Sequence, residues 1–143
     1  MRVYLDNCCY NRPFDDQAQL RIRLETEAKL AIQVLMRADA LEYVWSDMLV
    51  SEAGQNPSPD TREKVLAWRD RASAYVPVTP EIERHAAEIM RRGVKTADAL
   101  HLACAASAGC DWFFTVDKGI YNKVDRIGAM RVANPLDFVK EAE

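Results

Sequence analysis

The chain has 143 residues, of which 49% are hydrophobic, and its net charge at pH 7 is −3, which fits one folded domain and excludes an intrinsically disordered chain. No apolar run approaches the roughly 20 residues of a membrane-spanning helix, and Asp6 comes before a signal-peptide core could form. We therefore predict one cytoplasmic domain over residues 1–143 with no membrane attachment, and the sequence pI near 5.5 argues against a simple basic nucleic-acid-binding surface.

The first part of the chain predicts two strands separated by a long helix. Strand-forming residues run from Arg2 to Leu5, residues 6–13 have no regular pattern, and residues 42–45 predict the second strand. Between them, residues 16–38 carry apolar side chains at steps of three and four, which indicates an amphipathic helix. The members of this apolar stripe are Leu20, Leu24, Ala28, Ala31, Leu35 and Ala38.

The rest of the chain continues to alternate between helix and strand. Ser46 is a candidate cap for one helix, Ser58-Pro59 opens another, and Thr79-Pro80 opens a third after a weak strand at 75–78. Thr96 is predicted to cap a buried helix over 97–108, and the apolar run 112–116 predicts a central strand. A last strand at 130–133 and a short helix at 135–140 complete an α/β pattern, which predicts a mostly parallel sheet flanked by helices.

The cysteines do not have the spacing of a disulfide framework or of a zinc site. Two of them are adjacent in the sequence, no CxxC pair is present, and no secretory signal is evident. We predict reduced thiols that are mostly buried, at Cys8, Cys9, Cys104 and Cys110.

Four carboxylates stand out by their positions. Asp6 and Asp117 follow predicted strands, where functional groups of parallel α/β sheets collect, and Glu52 and Asp98 lie in apolar helical sequence. Each has a structural alternative: Asp6 in a turn, Glu52 solvated on its helix, and Asp98 and Asp117 at helix caps. If they meet, however, their mutual repulsion calls for a cation, and an oxygen-rich set favours Mg²⁺ or Mn²⁺ over zinc and supports phosphoryl-transfer chemistry.

Four segments of the chain form a recognisable set in this order: Val3-Tyr4-Leu5-Asp6, Leu49-Val50-Ser51-Glu52, Thr96-Ala97-Asp98-Ala99-Leu100-His101-Leu102-Ala103 and Phe113-Phe114-Thr115-Val116-Asp117-Lys118. With them the sequence resembles the PIN-domain nucleases, in particular the VapC-type toxins of bacterial toxin–antitoxin pairs, over nearly its whole length. The third segment, a predicted buried helix, and the fourth, a strand that ends in Thr-x-Asp, are the more specific parts of this resemblance.

The resemblance implies a metal-dependent endoribonuclease, usually dimeric and silenced by an antitoxin protein. By this resemblance Asp6, Glu52, Asp98 and Asp117 form the catalytic pocket that binds one or two Mg²⁺ or Mn²⁺ ions. The resemblance implies that Asp6, Asp98 and Asp117 in particular are the metal ligands. Thr115 supports the pocket through its hydroxyl group.

The sequence departs from the family pattern directly after the first aspartate. The family commonly has Thr or Ser there, followed by Asn or Ser, whereas this chain has Asn7 and Cys8. Asn7 can still make supporting hydrogen bonds. Arg12 and Lys118 are candidates for contacts with substrate phosphates, although each also fits an exposed structural role.

Three alternative functions stay open on sequence grounds. One is a non-catalytic PIN-like module that binds RNA or protein, one is an orphan PIN nuclease without an antitoxin, and one is a phosphatase on another α/β fold. His101 lies one turn beyond Asp98, and a packed core histidine is favoured there over a catalytic one. If the protein dimerises, Leu66 and Trp68 are candidate contact residues.

Overall fold

The computed structural model describes residues 1–142. Its strands are β1 (Arg2–Leu5), β2 (Glu42–Ser46), β3 (Ala74–Val76), β4 (Trp112–Phe114), β5 (Arg126–Ile127) and β6 (Met130–Ala133). They form one sheet in the order β3-β2-β1-β4-β6-β5. Every neighbouring pair is parallel except β5 and β6, which confirms the predicted α/β class with a mostly parallel sheet.

Helices cover this sheet. They are α1 (Asn7–Asn11), α2 (Leu20–Arg37), α3 (Asp47–Gly54), α4 (Pro59–Leu66), α5 (Pro80–Met90), α6 (Thr96–Ser107), α7 (Lys118–Tyr121) and α8 (Pro135–Ala142), with 3₁₀ turns at Arg12–Phe14 and Ala67–Arg71. Ser46, Ser58 and Thr79 accept hydrogen bonds from backbone N–H groups in the first turns of α3, α4 and α5, as their positions in the sequence predict.

The prediction that residues 6–13 have no regular structure is wrong, because α1 and the first 3₁₀ turn occupy this segment. A helix of five residues is too short to show periodicity, but the Asp6 carboxylate accepts a hydrogen bond from the Asn7 N–H and so starts the helix. Thr96 is not a cap either: Lys95 precedes the helix and Thr96 is its first residue. The helix predicted at 16–38 begins only at Leu20, and β4 ends at Phe114 rather than at 116.

Helix α2 does not turn its predicted apolar stripe toward the core. Leu20, Leu24 and Leu35 are exposed, as is the nearby Val34, whereas Ala28 is buried. The buried face of this helix carries polar and charged residues among its apolar ones: Glu25, Thr26, Ala28, Lys29, Ile32, Gln33 and Met36. Glu25 can be buried because cationic and amide donors surround its carboxylate, so hydrogen bonding outweighs hydropathy in setting the orientation.

The core lies around β1 and β4, whose side chains are buried except for the half-buried Arg2, and α6 packs against it with five consecutive buried residues from His101 to Ala105. The four cysteines are free thiols, with Cys8 half-buried and the other three buried, as predicted. No helix between residues 1 and 142 is long and apolar enough to cross a membrane.

Candidate metal centre

Neighbouring parallel strands bring the first and last acidic segments together. The Asp6 N–H donates to the Phe114 carbonyl over 2.9 Å, which aligns the carboxyl ends of β1 and β4. Beyond them, the Thr115 hydroxyl donates to Asp6 Oδ2 over 3.0 Å and accepts from the Asp117 N–H over 3.1 Å. Thr115 is fully buried, and it therefore fixes the Asp6 carboxylate relative to the segment that carries Asp117.

The four predicted carboxylates line a single cavity of about 360 Å³. Asp6 comes from the end of β1, Glu52 from α3, Asp98 from the first turn of α6, and Asp117 from the start of α7. Among residues 1–142 the cavity is lined by Asp6, Asn7, Cys8, Asn11, Asp15, Glu52, Asp98 and Asp117. Segments far apart in the sequence therefore converge on one strongly acidic surface at the carboxyl edge of the sheet.

The purely structural role of helix capping applies to some of these acids and not to others. Asp117 does cap α7, since its Oδ1 accepts from the Gly119 N–H over 2.8 Å. Asp6 similarly caps α1. Asp98, in contrast, makes no side-chain hydrogen bond within residues 1–142, so a capping role does not account for it. Capping and metal binding are compatible, because a carboxylate has several lone pairs.

Burial, together with neighbouring negative charge, raises the pKa values of two of these acids, Asp6 and Asp98. Burial is the main cause for Asp6, and the charge of Glu52 adds to it, although His101 and the Thr115 hydroxyl act in the opposite direction. Burial, then the charges of Asp6 and Asp117, raise the pKa of Asp98 to about 6. A bound cation would relieve this repulsion.

His101 lies beside the acids and is completely buried. Its Nε2 atom is 2.9 Å from Glu52 Oε1 and 3.9 Å from Asp6 Oδ1, without a well-aligned hydrogen bond to either. Burial lowers the pKa of His101, but the contact with Glu52 and the charge of Asp6 outweigh burial, so the net shift is upward. The sequence therefore placed His101 correctly in the core, while the structure adds its contact with the acids.

The donor set fits a hard divalent cation. One candidate ligand atom each from Asp6, Glu52 and His101 lies within 4.8 Å of the others, while Asp98 and Asp117 line the same cavity outside this tight group. The Asn7 Oδ1 atom is buried and has no hydrogen-bond partner among the described residues. An orphaned oxygen beside several carboxylates is the chemistry that Mg²⁺ or Mn²⁺ satisfies.

The predicted substrate contacts differ in their surroundings. Lys118 is exposed and forms no ion pair within residues 1–142. Arg12 is half-buried and binds Asp15 through Nη1 over 3.0 Å and Glu25 through Nη2 over 2.9 Å. Its guanidinium group is thus held by acids of the chain itself, and its phosphate contact stays a prediction.

Sequence reasoning missed Asn11 and Asp15 as cavity residues. Asn7 and Asn11 are four residues apart on α1, so they share a face of the helix, but this follows only once the segment is known to be helical. Cys8 keeps a link to the site, because its Sγ atom lies 3.4 Å from both Asp6 Oδ2 and Thr115 Oγ1.

The family model of the PIN domain matches residues 22–127, which is most of the chain. The chain therefore belongs to the PIN domain family, the nuclease family that its sequence resembles. The matched range contains Glu52, Asp98 and Asp117 and begins after Asp6, which the structure places beside them. No curated protein gives a significant match to the chain.

Solved structures with similar folds include FitAcB and two VapBC structures. The crystal structure of FitAcB from Neisseria gonorrhoeae is 16% identical, with a TM-score of 0.61 over 94% of this chain and 98% of that one. VapBC2 from Rickettsia felis, bound to a DNA fragment from its promoter, is 13% identical, with a TM-score of 0.57 over 94% and 98%. VapBC-1 from nontypeable Haemophilus influenzae is 12% identical, with a TM-score of 0.56 over 95% and 99%. At these identities the similarity establishes the fold.

Proposed function

We propose that this protein is an endoribonuclease that hydrolyses RNA phosphodiester bonds with the help of Mg²⁺ or Mn²⁺. The observation that carries the proposal is the convergence of Asp6, Glu52, Asp98 and Asp117 on one cavity in a PIN-family chain. Paired or clustered carboxylates of this kind hold divalent cations in enzymes of phosphoryl transfer.

Each residue has a defined part in this proposal. Asp6, Asp98 and Asp117 would hold the cation, with Glu52 completing the acidic set and orienting the attacking water. The cation, when bound, supplies positive charge to the phosphate and lowers the pKa of water. Thr115 holds the Asp6 carboxylate through its 3.0 Å hydrogen bond, and Asn7 offers its unpartnered oxygen.

The experiment removes one charge at a time while preserving side-chain shape. Purified Asp6→Asn and Asp98→Asn variants should lose Mg²⁺- or Mn²⁺-dependent cleavage of RNA while their circular dichroism stays that of a folded protein. Asp70→Asn, which changes an exposed acid outside the cavity, is the matched control and should remain active. Full activity in both cavity variants would overturn the assignment, and failure of the parent protein to bind Mn²⁺ in the millimolar range would favour a non-catalytic binding module.

We also propose that the protein is the toxin of a toxin–antitoxin pair and acts in the cytoplasm as a homodimer. Support comes from the VapBC and FitAcB structures of similar fold and from the exposed apolar face of α2. A groove of about 420 Å³ beside this face includes Phe14, Leu30 and Trp68, with cations around it: Lys29, Arg37, Lys64 and Arg71. Such a groove suits an antitoxin segment that is apolar and acidic.

The partner proposal has its own test. A short open reading frame next to this gene should encode a protein that co-purifies with the chain and inhibits cleavage. Arg37→Glu should weaken that complex, and Arg23→Glu, which reverses an exposed charge elsewhere on α2, should not. Sedimentation of the protein alone tests the homodimer. Cleavage without any inhibitory neighbour would indicate an orphan nuclease.

A further inference from the structure

We propose that His101 is a positioning residue and not a metal ligand: Ser46 and Tyr4 orient its ring so that Nε2 carries a hydrogen and lies beside the Glu52 carboxylate. This inference rests on the proposed metal-dependent function and assigns a role to residues outside the acidic set. It concerns which atoms prepare the site for a cation.

Three buried polar groups form a continuous chain behind the acids. Tyr4 Oη lies 2.6 Å from Ser46 Oγ on one side and 2.6 Å from His101 Nδ1 on the other. Ser46 Oγ also accepts the Leu49 N–H over 3.2 Å, because Ser46 caps α3. All three side chains are completely buried, so each polar hydrogen needs an acceptor within the protein.

The number of hydroxyl hydrogens determines which atom donates in each of these hydrogen bonds. Tyr4 and Ser46 have one hydroxyl hydrogen each, and Ser46 already accepts the Leu49 N–H. If Ser46 donates to Tyr4 and Tyr4 donates to His101 Nδ1, every hydroxyl hydrogen is used. In the opposite direction Nδ1–H donates to Tyr4 and Tyr4 to Ser46, which leaves the Ser46 hydrogen without an acceptor among the described residues. The first arrangement is therefore favoured.

This direction determines the chemistry on the other side of the ring. A neutral histidine that accepts at Nδ1 carries its hydrogen on Nε2. That atom lies 2.9 Å from Glu52 Oε1, and Glu52 can rotate to align the contact because its side chain is 30% exposed. A protonated Nε2 has no lone pair for a metal. Of the three residues whose candidate ligand atoms lie together here, only Asp6 and Glu52 can then bind a metal ion, through their carboxylate oxygens.

The contacts connect the cap of α3 to an acid on the same helix through neighbouring elements. Ser46 ends β2 and caps α3, Glu52 lies on α3, Tyr4 comes from β1 and His101 from α6. This series of hydrogen bonds therefore couples the position of the Glu52 carboxylate to the sheet and to the helix that carries Asp98. Partners that orient metal-binding groups in this way typically change metal affinity about 10–100-fold when removed.

Matched substitutions of His101 test the positioning role. His101→Gln can keep a donor near the Nε2 position, whereas the shorter His101→Asn can reach only toward Tyr4. In titration calorimetry with Mn²⁺ alone, we expect His101→Gln to stay within about 3-fold of the parent and His101→Asn to bind about 10-fold or more weakly. His85→Gln, at the second histidine and outside the acidic cavity, controls for the substitution itself. Equal affinity in the parent and both His101 variants, or equal loss in both at unchanged thermal stability, would overturn the proposal.

A second measurement needs no variant. Nitrogen-15 NMR of the parent protein at a pH where His101 is neutral should report a protonated Nε2 and an unprotonated Nδ1, with Mg²⁺ present or absent. A proton on Nδ1 would refute the hydrogen-bond direction even if the variants fail to fold. If the parent protein binds no Mn²⁺, the proposed function fails, and the NMR result still decides the direction of the chain.

Discussion

Replacing Arg12 by Met distinguishes a structural arginine from a substrate-binding one. Arg12 donates from both Nε and Nη2 to Glu25 Oε1, at 3.2 and 2.9 Å, and the Glu25 side chain is completely buried. Removing one partner of a buried ion pair typically costs about 3–5 kcal/mol. Two other partners remain for Glu25: Asn134 and the half-exposed Arg21, whose Nε is 3.4 Å away. We therefore expect a loss of about 2–3 kcal/mol in the free energy of unfolding.

Urea unfolding followed by tryptophan fluorescence provides the assay, because Trp45 and Trp112 are buried in the core. Arg23→Met, at an exposed arginine of α2, should change stability by less than about 0.5 kcal/mol. The double variant Arg12→Met/Glu25→Gln should lose less than the sum of the two single variants, since it leaves no buried charge. The reasoning is refuted if Arg12→Met keeps its unfolding free energy but loses RNA binding, which would assign Arg12 to the substrate.

Further predictions concern charge and hydrogen bonding near the site and in the groove. Asp98→Asn should raise the thermal midpoint of the metal-free protein, since it removes the charge that burial and the neighbouring charges of Asp6 and Asp117 disfavour; an unchanged or lower midpoint would contradict this. Thr115→Val should weaken Mn²⁺ binding about 10-fold in calorimetry, because Asp6 loses a hydrogen bond, whereas Thr61→Val on α4 should not. Burial lowers the pKa of Lys29 from 10.5 to about 8. The unfolded chain therefore binds more protons between these values, so the parent should gain stability relative to Lys29→Met as pH rises from 8 to 10.5, by at most about 3 kcal/mol. A stability difference that does not change with pH would refute the burial of that charge.

The sequence patterns predicted every strand of the sheet except β5, and they placed two of the four acids at one edge of the sheet. Strand patterns predicted β1 and the central β4, and residues after parallel strands meet at one edge, which brought Asp6 and Asp117 into one prediction. Glu52 and Asp98 needed the family resemblance as well, because an acid in a helix has many structural explanations.

What the sequence could not provide depends on partners that are distant along the chain. The orientation of α2 follows from the contacts of Glu25 with Arg12 and Asn134, which no periodicity reveals. The hydrogen-bond chain through Tyr4 and His101 spans 97 residues and likewise has no local signal. Capping at Asp6 was detectable in principle, but a short helix has too few residues for a periodic pattern.

The Glu25 contacts have a consequence for how the protein can be altered at its C-terminus. Asn134, next to the start of α8, donates to the same carboxylate that holds Arg12, and Arg12 also binds Asp15 at the edge of the acidic cavity. A truncation before residue 134 would remove the Asn134 contact with Glu25 and would therefore weaken the support of Arg12 and Asp15 at the cavity edge. It would do so although it removes none of the acids that line the cavity. The Glu25 carboxylate thus connects the segment around Arg12 to the segment around Asn134. Tags or deletions near the C-terminus should therefore be checked for their effect on the acidic cavity.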